Sequence, residues 1–209
     1  KDTASEPLFL VARSFDINKP GKNIENLRGG VLGGILKKGK LKVGDEIEIK
    51  PGLNVKKANQ VSYKTLVTKI LTLHKGNESM KEVTPGASIS IETGLDPNLT
   101  KADSLNGCLV SKKGVLPEIT YYIKIKHELF KEVLGTEEQK EVSPIKPKEM
   151  LMLNINTTTS VGIVEKIKDN IIELSLNIPV LALPESNVGL ARNINSHWRL
   201  IGFGEIVNQ

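Results

Sequence analysis

At 209 residues the chain is long enough for one large domain or two of ordinary size, and 39% hydrophobic with 25% charged residues fits a water-soluble fold with a true core. No apolar run could cross a bilayer, no cleavable signal pattern opens the chain, and the lone Cys108 excludes an internal disulfide and suits a reducing, cytoplasmic setting. A formal charge of +5 favours an acidic partner, nucleic acid first, and Lys1 in place of Met suggests a piece of a longer protein.

Aromatics are only 4%, so the core has to rest on Ile, Leu and Val. Residues 1–6 are polar and expected to lie loose at the edge of the fold. A strand is predicted over 7–15, then a turn-rich loop over 16–21, then the stretch on which the first half is organised, 27–50 (LRGGVLGGILKKGKLKVGDEIEIK). Its four glycines, Gly29, Gly30, Gly33 and Gly34, interrupt an apolar run, which points to a close approach by a backbone or ligand, or to a sharply bent small barrel. Lys50-Pro51-Gly52 is expected to end that strand, and 53–62 to form a loop. Strands are predicted over 63–74, 87–91 and 107–110, with a linker at 112–114.

The second half repeats the pattern. Strands are predicted over 121–128, 150–156, 160–167, 171–176, 180–183, 188–193 and the C-terminal segment from His197, with a charged loop over 131–149. Short strands at this spacing, with almost no helical periodicity, predict an all-β chain of two antiparallel β-barrels in tandem, 1–113 and 114–209.

Enzymatic signals are weak. Residues 34–40 fit G-x-x-x-x-G-K, but Leu41 stands where a magnesium-binding Ser or Thr is required, and a strand follows where a helix should face the phosphates. Asn18-Lys19-Pro20-Gly21 puts Gly where a guanine-reading carboxylate belongs. His74, His127 and His197 lie far apart, without metal-ligand spacing. Asp45, Glu46 and Glu48 read as the wet face of a strand, and Trp198 as the core anchor of the last one. Lys37, Lys38, Lys40 and Lys42 form a basic cluster that suits either a solvated hairpin or phosphate.

Five long phrases, RSFDINKPG (13–21), GGVLGGILKKGKLKVGDEIEIKPG (29–52), GLDPNLTKAD (94–103), LGTEEQKEVSPIKPKEMLMLN (134–154) and HWRLIGFGEI (197–206), resemble the gamma subunit of archaeal and eukaryotic translation initiation factor two. The first barrel is more distantly similar to that of elongation factor Tu. The resemblance implies a GTPase domain followed by two β-barrels in the full subunit, of which this chain matches the barrels. GTP and magnesium would then belong to the full-length protein, with no cofactor, no catalytic residue and no metal in the barrels.

The resemblance also implies partners: the alpha and beta subunits, beta mainly through the GTPase domain; initiator methionyl-tRNA; the small ribosomal subunit; and, on the second barrel, an assembly chaperone. It places the tRNA acceptor end on Arg28, Gly29, Gly30, His74, Pro85, Gly86 and Ala87, to which Lys37 and Lys38 of the basic cluster are added as candidate tRNA contacts. It places the C-terminal domain of the alpha subunit on the first barrel, where the loop of Asp16, Ile17, Asn18, Lys19, Pro20 and Gly21 is the candidate dock, its Asn, Pro and Gly serving equally as turn residues. The equivalent barrels of a selenocysteine-specific elongation factor are the alternative.

Overall fold

The computed structural model describes residues 2–57, 60–134, 141–184 and 186–207. It falls into two units, Lys1–Leu116 and Pro117–Gln209. In the first, the strands are β1 (Leu8–Phe15), β2 (Val31–Lys38), β3 (Leu41–Lys42), β4 (Glu46–Lys57), β5 (Gln60–Lys75), β6 (Glu78–Met80), β7 (Glu82–Val83), β8 (Ser88–Thr93) and β9 (Leu109–Lys112). The order β4-β9-β1-β2-β8-β5 closes on itself through the β4–β5 pairing, giving a six-stranded barrel with β6 appended and β3–β7 as a separate small ribbon. The second unit holds β10 (Ile119–Leu129), β11 (Met150–Ile155), β12 (Thr158–Lys168), β13 (Ile171–Leu181), β14 (Asn187–Ile194) and β15 (His197–Ile206), closed in the order β10-β13-β12-β11-β14-β15. The two barrels are both antiparallel, as expected.

Alternation explains the cores. In β2 the partners of the apolar run are Leu32 and Leu36, both buried, while Ile35 faces outward. The first interior is Phe9, Val11, Leu32, Leu36, Ile47, Ile49, Ile70, Leu73 and Ile91 with their neighbours; the second is almost entirely Ile, Leu and Val. The strand glycines serve backbone approach. A Cβ on Gly34 would lie 1.9 Å from the Leu10 carbonyl oxygen, and one on Gly29 would lie 1.7 Å from that of Thr93.

Several expectations change. Residues 53–57 and 60–62 are strand, not loop: β4 does not stop at Pro51 but passes through an irregularity between Ile49 and Leu53, with Gly52 at φ +90°, and then pairs again with β5. Residues 58–59 of that predicted loop, and 135–140 of the one over 131–149, lie outside the described residues. The strands predicted over 171–176 and 180–183 are one, β13, because the β10–β13 register shifts between Thr120 and Tyr122 and so accommodates Pro179 within the strand.

The N-terminal segment is tied down. The Asp2 carboxylate accepts from the Ala4 and Ser5 amides, and the Asp2 carbonyl accepts from Gly39 N–H. Glu48 is not on a wet face; it is 5% exposed and accepts the Leu116 N–H at 2.8 Å, while Lys50 Nζ donates to the Leu116 carbonyl. Trp198 is half-buried opposite Asn193 and stands outside the second core, which aliphatic side chains fill.

Candidate RNA and subunit interface

The functional candidates all lie on the first barrel, at its two ends. At the end where β8 finishes, the segment 94–108 meets the end of β1 through Thr100 and the β4–β5 hairpin through Gly94 on Lys69 and Cys108 on Gly52. Asn18 is the joint. Its side-chain oxygen accepts from Arg28 N–H at 2.8 Å, and its amide donates to the Arg28 carbonyl, also at 2.8 Å. One amide side chain thus reads both backbone groups of a residue ten positions on. Asp16 holds Asn18 in turn, accepting from its backbone and side-chain nitrogens. Those two hydrogen bonds keep the Asp16 carboxyl below the usual carboxylate range, and Lys101 Nζ, 3.7 Å away, adds to the effect.

The Arg28 guanidinium lies along Glu92 of β8, with Nε 2.9 Å from Oε1 and Nη2 on Oε2. Glu92 is 8% exposed and also accepts from the Thr72 hydroxyl at 3.0 Å. The Arg28 hydrogen bond is the main reason its carboxyl titrates below the ordinary glutamate value, against the opposing cost of burial, and the Thr72 hydrogen bond adds to it. The register explains the gathering: Glu92 faces Thr72, and Ser90 faces His74, so the four share the outer side of neighbouring strands.

Behind Arg28 the two glycines pack on 93–100. Gly30 N–H donates to the Leu95 carbonyl, its own carbonyl accepts from the Thr93 amide and hydroxyl, and a Cβ on it would strike the Thr100 side chain at 2.4 Å. Thr100 is itself anchored on the Phe15 and Pro97 carbonyls. Asp103 fastens the same segment to β1, accepting from Arg13 Nε and the Ser14 amide.

The opposite end carries the other predicted residues. Lys37 and Lys38 are exposed where β2 ends, and the turn with buried Pro85, Gly86 at φ +126° and half-buried Ala87 precedes β8 there. Ile35 pairs with Ser88 and Val31 with Glu92, so the length of β8, about 17 Å, separates this group from Arg28, Gly29 and Gly30. Lys40 and Lys42 are drawn to Glu82, at 3.8 and 3.1 Å. The structure therefore joins Asp16 and Asn18 to Arg28, Gly29, Gly30 and, through Glu92, to His74; Lys37, Lys38 and residues 85–87 stand apart. Glu92, Thr72, Thr100, Lys101 and Asp103 went unnoticed in the sequence. The only local sign was a lone carboxylate inside the strand SISIET, whose partner is remote in the chain.

Groups suited to nucleophilic or metal chemistry are sparse. Burial pushes the Cys108 thiol up to about 11. Among the described residues no three His, Cys, Asp or Glu side chains are grouped to hold a metal, and no helix is long and apolar enough to cross a membrane.

Residues 121–206 match the family model described as initiation factor eIF2 gamma, C terminal. Over 207 residues, 99% of this chain, the sequence is 44% identical to the translation initiation factor 2 subunit gamma of Methanococcus vannielii. Identity to the proteins of the same description from Methanocaldococcus jannaschii and Pyrococcus furiosus is 44% and 45% over 206 residues. The chain spans 50% of the length of each of these relatives. Among solved structures, a bacterial selenocysteine-specific elongation factor, EF-Sec, has a TM-score of 0.68 at 16% identity over 98% of this chain and 28% of that one, a likeness of fold. With its second barrel matched by that family model and its whole length aligned to these gamma subunits, the chain belongs to the translation initiation factor 2 gamma family.

Proposed function

We propose that these barrels are the binding scaffold of an initiation factor gamma subunit that helps deliver initiator methionyl-tRNA to the small ribosomal subunit in the cytoplasm. The first barrel contacts the tRNA acceptor end and the alpha subunit. The second serves support, ribosome or chaperone contact, and the beta subunit docks mainly on the GTPase domain of the full-length protein. Neither barrel is assigned catalysis or a cofactor; GTP and magnesium are assigned to that domain.

One observation supports this reading most: Asn18 clasps the Arg28 backbone, so the loop 16–21 and the loop 28–30 are presented as one surface. The Glu92 carboxylate occupies Nε and one Nη of Arg28, and a guanidinium has five N–H donors, so an edge is left for a phosphate while the side chain stays fixed. Fixing it beforehand lowers the ordering cost of binding.

Calorimetric titration of this chain with the isolated C-terminal domain of the alpha subunit tests it. One-to-one binding that Asn18→Ala weakens about tenfold or more is the expected result. A folded chain that binds nothing overturns the alpha-subunit assignment.

A further inference from the structure

The second barrel leaves an aromatic ring on its outside. Alternation along β15 turns Gly204 and Ile206 inward and Phe203 and Glu205 outward, and Phe203 is 47% exposed. Phe130 props the ring from one side, with centroids 5.9 Å apart and planes tilted by 41°. On the other side the register sets Gly189, where an added Cβ would stand 3.6 Å from its nearest neighbour, a Leu200 methyl. The backbone beside the ring is therefore bare, and one ring face is open.

Two carboxylates border the ring. Glu128 faces Phe203 directly across the β10–β15 pairing, and Glu205 stands two residues along the same outer face, about 7 Å away. Both are exposed, and with Phe203 they line one cleft of about 240 Å³, shared with Lys126, His127 and Asn170. Neither carboxylate has an ion pair or side-chain hydrogen bond among the described residues; Lys126 stands opposite Glu205 without pairing to it. The other two strand carboxylates of this barrel are engaged. Glu165 meets Lys148 and the Ser175 hydroxyl, and Glu173 meets Lys124, Lys166 and the Tyr122 hydroxyl. Burial lowers the pKa of His127, so its imidazole brings no opposing charge to the cleft at neutral pH.

An open ring between free carboxylates suits a guanidinium. A ring face attracts a cation held within about 6 Å of its centroid, and the planar arginine head stacks there while its N–H fork reaches a carboxylate. A compact ammonium does this less well, and a phosphate is repelled. The chain as a whole carries +5, so this cleft, with two free carboxylates against one lysine, is set apart from the basic surfaces suited to nucleic acid.

We propose that the Phe203 cleft of the second barrel docks an arginine-bearing segment of a partner protein, the guanidinium stacked on Phe203 and paired with Glu128 or Glu205. This site is independent of the tRNA and alpha-subunit assignments on the first barrel.

The test titrates a short peptide of alternating Arg and Ser into the isotope-labelled 209-residue chain, followed by amide NMR, with peptides carrying Lys or Glu in place of Arg as controls. The Arg peptide is expected to shift the amides of 126–128 and 203–205, the Lys peptide to bind about threefold more weakly, and the Glu peptide not to bind. Glu128→Gln combined with Glu205→Gln should weaken the Arg peptide about tenfold, and Phe203→Leu about threefold. Lys126→Gln should tighten it about twofold, a gain that no loss of folding can imitate. Shifts scattered over the surface, Arg and Lys peptides bound alike, or an affinity unchanged in the double glutamine variant would each overturn the site. So would a short single-stranded RNA that moves the same amides, since the cleft would then take a polyanion.

Discussion

The two barrels close by the same rule and use their ends differently. In the second, β11–β12, β12–β13 and β14–β15 are joined by two-residue turns in which Asn156, Asp169, Asn195 and Ser196 take positive φ, the least chain that can reverse a strand. Its one long connection of comparable kind is 130–149 between β10 and β11, whereas in the first barrel one end carries both the 15-residue connection from β1 to β2 and a segment bearing Thr100 and Asp103. Those parts are fastened by glycine contacts and side-chain bonds spanning many residues: Asn18 to Arg28, Arg28 to Glu92, Arg13 to Asp103. An aliphatic core is enough to close a barrel. A surface that holds loops in one arrangement needs polar bonds between distant parts of the chain; the first barrel spreads them over Asn18, Arg28 and Arg13, while the second gathers them on Arg192, which donates to Ser143, Pro144 and Glu149.

The sharpest way to break the comparison is a single methyl group. Gly34→Ala or Gly29→Ala puts a Cβ within 2 Å of a backbone carbonyl and should cost about 3 kcal/mol or more, seen as loss of the first barrel's melting transition. Gly189→Ala in β14, where the nearest atom is 3.6 Å away, should leave the second barrel unchanged or stabilise it by roughly 0.5 kcal/mol.

A smaller effect is expected at the polar joint. Glu92→Gln keeps the size and removes the charge that Arg28 faces; it should cost roughly 1–2 kcal/mol by denaturant midpoint with an unchanged m-value. A loss no greater than that of an exposed carboxylate would show that the joint is not structural.

The smallest effects are pH-dependent and fall in different windows. Glu92 is depressed, so its contribution is complete above the ordinary value of 4.5 and is lost as the pH falls through its lower folded value. His127, in the second barrel, is lowered by burial, with a buried Nδ1 that accepts no hydrogen bond. The unfolded chain takes up a proton there first, so the second barrel starts to lose stability below 6.5. Melts recorded on either side of that value should move the second barrel before the first, and His127→Gln should abolish the difference.

Much of the fold was legible in the sequence because strand alternation is local. A buried Leu or Ile every second residue marks an inward face wherever the strand ends up, and most predicted strands match within a few residues. The misses arose where one partner decides. Pro51 and Pro179 read as terminators, yet both sit at irregularities in which the neighbouring strand tolerates them. Glu48 read as wetted because nothing nearby in sequence shows that Leu116 offers it a peptide N–H.

The chain alone determined its all-β class, its tandem organisation, the aliphatic cores and the glycine approaches in β2, since each depends on residue type and short-range period. Tertiary structure decided which candidate residues meet. Arg28 finds Glu92 across 64 positions and Asn18 across ten, while Lys37 and Lys38, close to Arg28 in sequence, end a strand's length away. A strand carries its residues apart at about 3.3 Å each, and only the closure of the barrel brings distant segments back to the same rim.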